Sequence, residues 1–237
     1  MQLFIADIRS EHEAVLREEE ARHCIKVLRH QPGDRIHCVD GLGTYYATRL
    51  VQGTPGEVLL QIESRTHDWG EHPGSICLAV SPLRLRDRFE WLVEKAVELG
   101  VTEIMPFTSQ HTDKYQSRYK EERLLTLMRT ALKQSLRARL PVLHPLRDLA
   151  DCLATHRDGL RLIAHAAAPQ HLDNLHDTTA AADQITLYIG PEGDFGASEY
   201  EMAQAQGLVP VHLGATRLRS ETAALFGLSL LKAARGY

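Results

Sequence analysis

The sequence has no long uncharged apolar run, no cysteine pairing pattern and no ligand-spaced histidines, and each absence removes a class of protein. No apolar stretch approaches the roughly 18 residues that a membrane-spanning helix needs. Asp7 and Arg9 interrupt the apolar opening too early for a secretory signal, so a cytoplasmic protein is expected. Cys24, Cys38, Cys77 and Cys152 stand far apart, which fits neither a zinc motif nor a disulfide framework, and reduced thiols are expected. Thirteen histidines are scattered with no ligand spacing, so no metal is expected; His23, His165 and His212 read as packing or surface residues. There is no Walker A sequence, no Gly-x-Ser-x-Gly elbow and no His-Glu-x-x-His, which sets aside P-loop, serine-hydrolase and zinc-peptidase chemistry. Gly41-Leu-Gly43 lacks the third glycine and the helix of a dinucleotide fingerprint and reads as a hairpin turn.

What is present is the composition of a soluble globular protein: 237 residues, 43% apolar and 24% charged, enough for one large domain or two modest ones. A net charge of −4 argues against indiscriminate nucleic-acid binding, yet the charge is uneven. Acid crowds Glu11 to Glu20, and 21 of the 27 basic residues are arginine, the type that pairs bidentately with phosphate. Arg84, Arg86 and Arg88 cluster. Arg129, Lys133 and Arg137 recur every four residues with Arg139 adjacent, which predicts a basic stripe along one helix face. From pattern alone the stripe is equally a solvated helix face.

Up to about Thr66 the signals are short strands at Leu3–Ile8, Arg35–Val39, Thr44–Val51 and Glu57–Glu63, with one helix around Glu18 to Arg29. This suggests a small β-barrel-like module, followed by a linker at His67–Gly74. Strand and helix then alternate: Ser75–Val80, helix Asp87–Leu99, Thr102–Pro106, helix Tyr119–Arg139, Leu160–Ala164, Ile185–Ile189, helix Ser198–Gln206, Val209–Leu213 and helix Ser220–Ala234. That alternation predicts an α/β domain with a mostly parallel sheet covered by helices. Ser198-Glu-Tyr-Glu201 is a capping-box pattern that opens the third of these helices.

Two C-terminal strands empty into glycine loops. Ile185–Ile189 runs into Gly190-Pro-Glu-Gly-Asp-Phe-Gly196, and Val209–Leu213 into Gly214-Ala-Thr-Arg-Leu-Arg-Ser-Glu-Thr-Ala223. Glycines at strand ends let the backbone approach a ligand and adopt positive φ, and open α/β sheets bind ligands at those ends. The plainer reading of Gly190–Gly193 is a tight strand-to-helix turn.

The paired loops, with Glu199 and Leu218-Arg219, resemble the signature of the ribosomal RNA small subunit methyltransferase E family, SPOUT enzymes that methylate N3 of a uridine in 16S ribosomal RNA with S-adenosylmethionine. Lys95–Val101 with Pro106, and Gln134-Ser135 with Arg137 and Pro141, are also similar to that family. His23, Val27-Leu-Arg29, Gly33-Asp34 and Asp40-Gly41 resemble its PUA-like RNA-binding module. The resemblance covers nearly the whole chain. This chain departs from it at Asp194, where a second glycine is common, at Thr216-Arg217, at Gln110-His111 and at Arg84.

The resemblance implies a PUA-like barrel over 1–70 and a SPOUT methyltransferase domain over 73–237 with a deep C-terminal trefoil knot, a rarity among folds. It implies a homodimer, no membrane partner, and the small ribosomal subunit as substrate. Carried over residue by residue, the cofactor site comprises His165, Gly190, Pro191, Glu192, Gly193, Leu213, Gly214, Leu218 and Arg219. Arg219 is the candidate for stabilising charge on the uracil, or else it pairs with Glu221 or caps a helix. Glu221 or Glu192 acts as base or braces its loop, bracing being favoured. Arg29, Arg84, Arg88, Arg129, Lys133 and Arg137 are the candidates for RNA contact. An enzyme acting on another RNA or atom, and a silent RNA-binding assembly factor, are the competing readings.

Overall fold

The computed structural model describes residues 1–113 and 119–236. The chain divides into two compact units, Met1–Glu71 with Arg129–Leu140 and His72–Met128 with Pro141–Tyr237.

In the first unit, β1 (Leu3–Ile5), β2 (Asp7–Ile8), β3 (Glu13–Arg17), β4 (Arg35–Val39), β5 (Thr44–Gly53) and β6 (Glu57–His67) form a six-stranded sheet in the order β1-β4-β5-β6-β3-β2. β1 lies parallel to β4 and the other neighbours are antiparallel. Alternation in β5 turns Thr44, Tyr46, Thr48 and Leu50 inward, and the core gathers Phe4, Leu16, Ile36, Leu50, Val58 and Leu60 around Cys24 and Cys38. All four cysteines of the chain are free and buried, and burial pushes the Cys24 thiol up to about 11.

Several local expectations shift here. The strand expected over Leu3–Ile8 is two strands parted at Ala6, whose N–H bonds to the Val39 carbonyl. β3 was not expected, because its three buried apolar residues sit among acidic ones and do not alternate. The helix expected to reach Arg29 is α1 (Glu18–Arg22) continued by a wide π turn, His23–Val27, after which Arg29 takes φ 58° and ends the run.

The second unit holds β7 (Ser75–Val80), α2 (Arg86–Glu98), β8 (Glu103–Thr108), β9 (Val142–Leu143), β10 (Arg147–Asp148), α4 (Leu149–Thr155), β11 (Leu160–Ala164), α5 (His176–Ala181), β12 (Gln184–Ile189), α6 (Ala197–Ala205), β13 (Val209–Val211) and α7 (Ser220–Ala234). Its sheet runs β10-β8-β7-β12-β11-β13 with β9 also on β8, and each of these pairings is parallel. α2 buries Phe89, Leu92, Val93, Ala96 and Val97, the face its spacing predicts, and stops before Gly100 at φ 92°. Among the described residues no helix is long and apolar enough to cross a membrane.

α3 (Glu121–Gln134) begins in the second unit and ends in the first. It was expected to run to Arg139. Instead Leu136 turns at φ 55°, and Ala138 packs with Leu132, Leu3 and Val39 of the first unit. The α6 cap is likewise one turn feature earlier than expected: Gly196 precedes the helix, and Glu199 rather than Glu201 reaches back to the Gly196 N–H at 2.9 Å. Glycine has no side chain to complete the box.

Candidate active site

Parallel register brings three strand ends to one level. Ala164 of β11 pairs with Ile189 of β12 and with Val211 of β13, and Ile189 pairs with Val80 of β7. The loops that leave these ends, from His165, Gly190 and His212, therefore start side by side. They enclose a cavity of about 720 Å³. Among the expected positions, His165, Gly190, Pro191, Glu192, Leu213, Gly214, Leu218 and Arg219 line it, together with Glu221 and Arg88. Gly193 does not line it: a β-carbon there would lie 2.9 Å from His111 Cβ, so its bareness serves the packing of the loop on the Ser109–Thr112 turn.

Local chemistry shapes the first loop. A β-carbon at Gly190 would meet the Phe195 ring at 3.2 Å, because Phe195 folds back to stack on Phe107 at 6.0 Å between centroids. Asp194 makes that return with φ 64°, its N–H on Pro191 O and its carboxylate on the Phe195 N–H. Glu192 Oε1 accepts from the Arg84 N–H at 3.0 Å, which is a bracing contact. In the second loop Gly214 has φ 123° and open space where a β-carbon would point.

The titratable groups are arranged unevenly around the cavity. Glu221, in the first turn of α7, is buried and accepts from Arg88 Nη1 at 3.3 Å. Its partner is thus Arg88 and not Arg219. Arg219 precedes α7 without a side-chain cap bond, is exposed, and among the described residues has no ion-pair partner. His165 stacks on Tyr200 at 4.2 Å, accepts the Ala167 N–H at Nδ1, and sets Nε2 3.7 Å from Asp194 Oδ2. With Nδ1 accepting, Nε2 is the ring nitrogen left to donate towards Asp194. The departures at Gln110 and His111 support this side: the Gln110 N–H bonds to Glu199, and His111 Nδ1 donates to Asp194 O.

Two family models match the chain. A model described as "RNA methyltransferase domain" matches residues 70–232, and one described as "RNA methyltransferase PUA domain" matches residues 16–63. The chain is 30% identical over 190 residues to the Ribosomal RNA small subunit methyltransferase E of Mesomycoplasma hyopneumoniae (strain 232), covering 78% of this chain and 80% of that protein. The chain belongs to the ribosomal RNA small subunit methyltransferase E family. With the family member of Bacillus subtilis (strain 168) it shares 26% identity over 227 residues, 90% of this chain and 87% of that one. The crystal structure of the Neisseria gonorrhoeae family member bound to S-adenosyl methionine has a TM-score of 0.86 at 26% identity, covering 98% of this chain and 97% of that one.

The RNA candidates fare differently from the family's cavity positions. The basic stripe does not exist as a free face. Lys133 Nζ is held by Glu20, and Arg137 lies beyond the helix, 4% exposed, with Nη2 2.8 Å from Glu71 Oε2. Glu71 also accepts the Ala138 and Arg139 N–H groups, and Arg139 pairs with Asp68. Arg129 and Arg29 are exposed. Arg84 is exposed beside the brace to Glu192, and Arg88 lines the cavity. Asp194 lines the cavity too, although it lay outside the expected cofactor positions, and Arg217 does so within the Leu213–Arg219 loop that the resemblance pointed to.

Proposed function

We propose that the chain transfers the methyl group of S-adenosylmethionine to N3 of a uridine in 16S ribosomal RNA of the small subunit. The observation that carries this reading is the single cavity formed by both glycine loops in a chain of this family. Its volume falls within the roughly 300–1,000 Å³ of small-molecule sites. Its walls suit the cofactor: backbone groups of Gly190–Glu192 and Leu213–Leu218, bare space at Gly214, and an imidazole–carboxylate pair at His165 and Asp194. These residues would hold S-adenosylmethionine. When bound, it supplies a methyl on a sulfonium sulfur, open to displacement by a nucleophile.

The residues of the chain then have defined tasks. Uridine N3 carries a proton, and its removal spreads negative charge to the flanking carbonyl oxygens. Arg219, whose guanidinium offers several donors and has no ion-pair partner among the described residues, donates to that charge. Glu221 is the anchor of Arg88 and holds it at the cavity wall, where the guanidinium orients the incoming nucleotide. Glu192 keeps its loop closed on the Arg84 backbone. Alignment of N3 with the methyl lowers the barrier by several kcal/mol, so the proton passes to solvent without a dedicated base.

The same reading assigns RNA capture to a PUA-like barrel in residues 1–70 and methyl transfer to a SPOUT domain in residues 73–237, knotted as a trefoil in its C-terminal part. The exposed Arg29 and Arg129 touch phosphate. Activity requires a cytoplasmic homodimer. α2 and α7 pack on each other and leave Trp91 and Phe226 47% and 40% exposed, which supports a paired surface there.

Reverse transcription through 16S RNA tests the assignment, because a methyl at N3 blocks the Watson–Crick edge. Adding protein and S-adenosylmethionine to RNA from cells lacking the protein is expected to restore one strong stop at a uridine. A stop at another base, or none while calorimetry shows cofactor binding, would overturn the uridine assignment.

A further inference from the structure

Two of the scattered histidines meet a carboxylate. Glu103 opens β8, His144 follows β9 and His156 follows α4, and one potential ligand atom from each lies within 4.8 Å of the others. Register produces the meeting. β9 pairs with β8 through Glu103–Val142 and Ile104–Leu143, so the next residue, His144, bonds its N–H to Ile104 O and turns its ring to the strand start. His144 Nε2 stands 2.6 Å from Glu103 Oε2, and His156 sets its ring edge-on to His144, centroids 4.9 Å apart at 87°. The group sits where β8 begins. The cavity described above sits where the parallel strands end, so the two are at opposite ends of the sheet.

We propose that Glu103, His144 and His156 form a binding site for a zinc-like divalent cation. Two imidazoles and one carboxylate are a donor set that zinc takes in three-residue sites, with water completing a tetrahedron. With bonds of about 2.0–2.1 Å, tetrahedral ligand atoms stand about 3.3 Å apart. The Glu103–His144 hydrogen bond opens by less than about 1 Å to reach that spacing, while the remaining atoms move inward. His144 and Glu103 side chains are 25% and 31% exposed, so a cation and its water have a way in.

Burial, more than the neighbouring His144, holds the His156 ring below its ordinary range. The His144 hydrogen bond holds the Glu103 carboxyl below the usual carboxylate range. Of the other charges acting on His156, Glu103 and Asp158 favour its cation and Arg147 opposes it. A bound cation would tie the end of α4 to the strands β8 and β9.

The test uses chelator-stripped, tag-free protein titrated with Co²⁺ and then Zn²⁺. One Co²⁺ per chain is expected, with the visible absorption of a low-coordinate site that Zn²⁺ abolishes. Loss of an outer partner alone costs about 10–100-fold in affinity. His156→Ala and Glu103→Gln should therefore each weaken Zn²⁺ at least about tenfold. His156→Ala removes a ring with no strong hydrogen bond, and Glu103→Gln keeps an acceptor for His144, so metal-free melting curves should show both variants folded. Absence of stoichiometric binding, or equal Zn²⁺ affinity in wild type and both variants, overturns the site.

Discussion

The cations at the end of α3 and those around the cavity are alike in type and differ in what they face. Lys133, Arg137 and Arg139 each have a carboxylate of the first unit beside them, so their charge is spent on holding the chain. At the cavity, Arg88 has Glu221, but Arg219 stands at a loop end with no ion partner among the described residues. A cation can serve a ligand where the fold leaves its charge unmet, and spacing along a helix does not reveal that. Glu71 makes the point most sharply: it accepts from Arg137 and from two backbone N–H groups, which converts a would-be phosphate contact into a buried clasp.

The contrast can be broken at four places. Arg137→Ala should have the largest effect, about 3–5 kcal/mol lost on unfolding, because it strands a buried Glu71 whose side chain is 7% exposed. Urea denaturation measures it, and a loss below about 1 kcal/mol would return Arg137 to the surface. The salt slope of RNA binding by the folded variant should stay unchanged. Arg219→Ala should leave the melting curve alone and lower the methyl-transfer rate by about 10²–10³, the usual cost of one donor to a developing charge. Wild-type turnover in single-turnover assays would remove Arg219 from the chemistry. Glu192→Ala should weaken cofactor binding by about tenfold through loss of a charged hydrogen bond, while Glu192→Gln, which keeps an acceptor, should retain most of it. Equal affinities for the two variants in calorimetry would count against the brace. Arg139→Ala should matter least, under about 1 kcal/mol, since its pair with Asp68 is 46% and 75% exposed. A larger shift in the urea midpoint would show that Arg139 does more than cover the surface.

Much of this was legible from residues alone. The α/β alternation, the buried face of α2 and the two glycine loops follow from short-range pattern, which periodicity and glycine placement record directly. β3 was missed because its apolar residues run consecutively, and the early end of α3 because nothing in the residue types of Ser135–Arg139 marks the positive φ that Leu136 adopts. The pairing of Glu221 with Arg88 spans 133 positions and has no sequence trace.

By itself the sequence determined the order of elements, the loops that carry glycine, and the family to which they point, since these depend on neighbours a few residues apart. Tertiary structure alone decided which charges cancel and which side chains converge. Strand register set the loops from Ala164, Ile189 and Val211 around one cavity, and the same register carried Glu103, His144 and His156 together at the other end. Distances between groups far apart in the chain follow from how strands pair, and pairing is a property of the folded molecule.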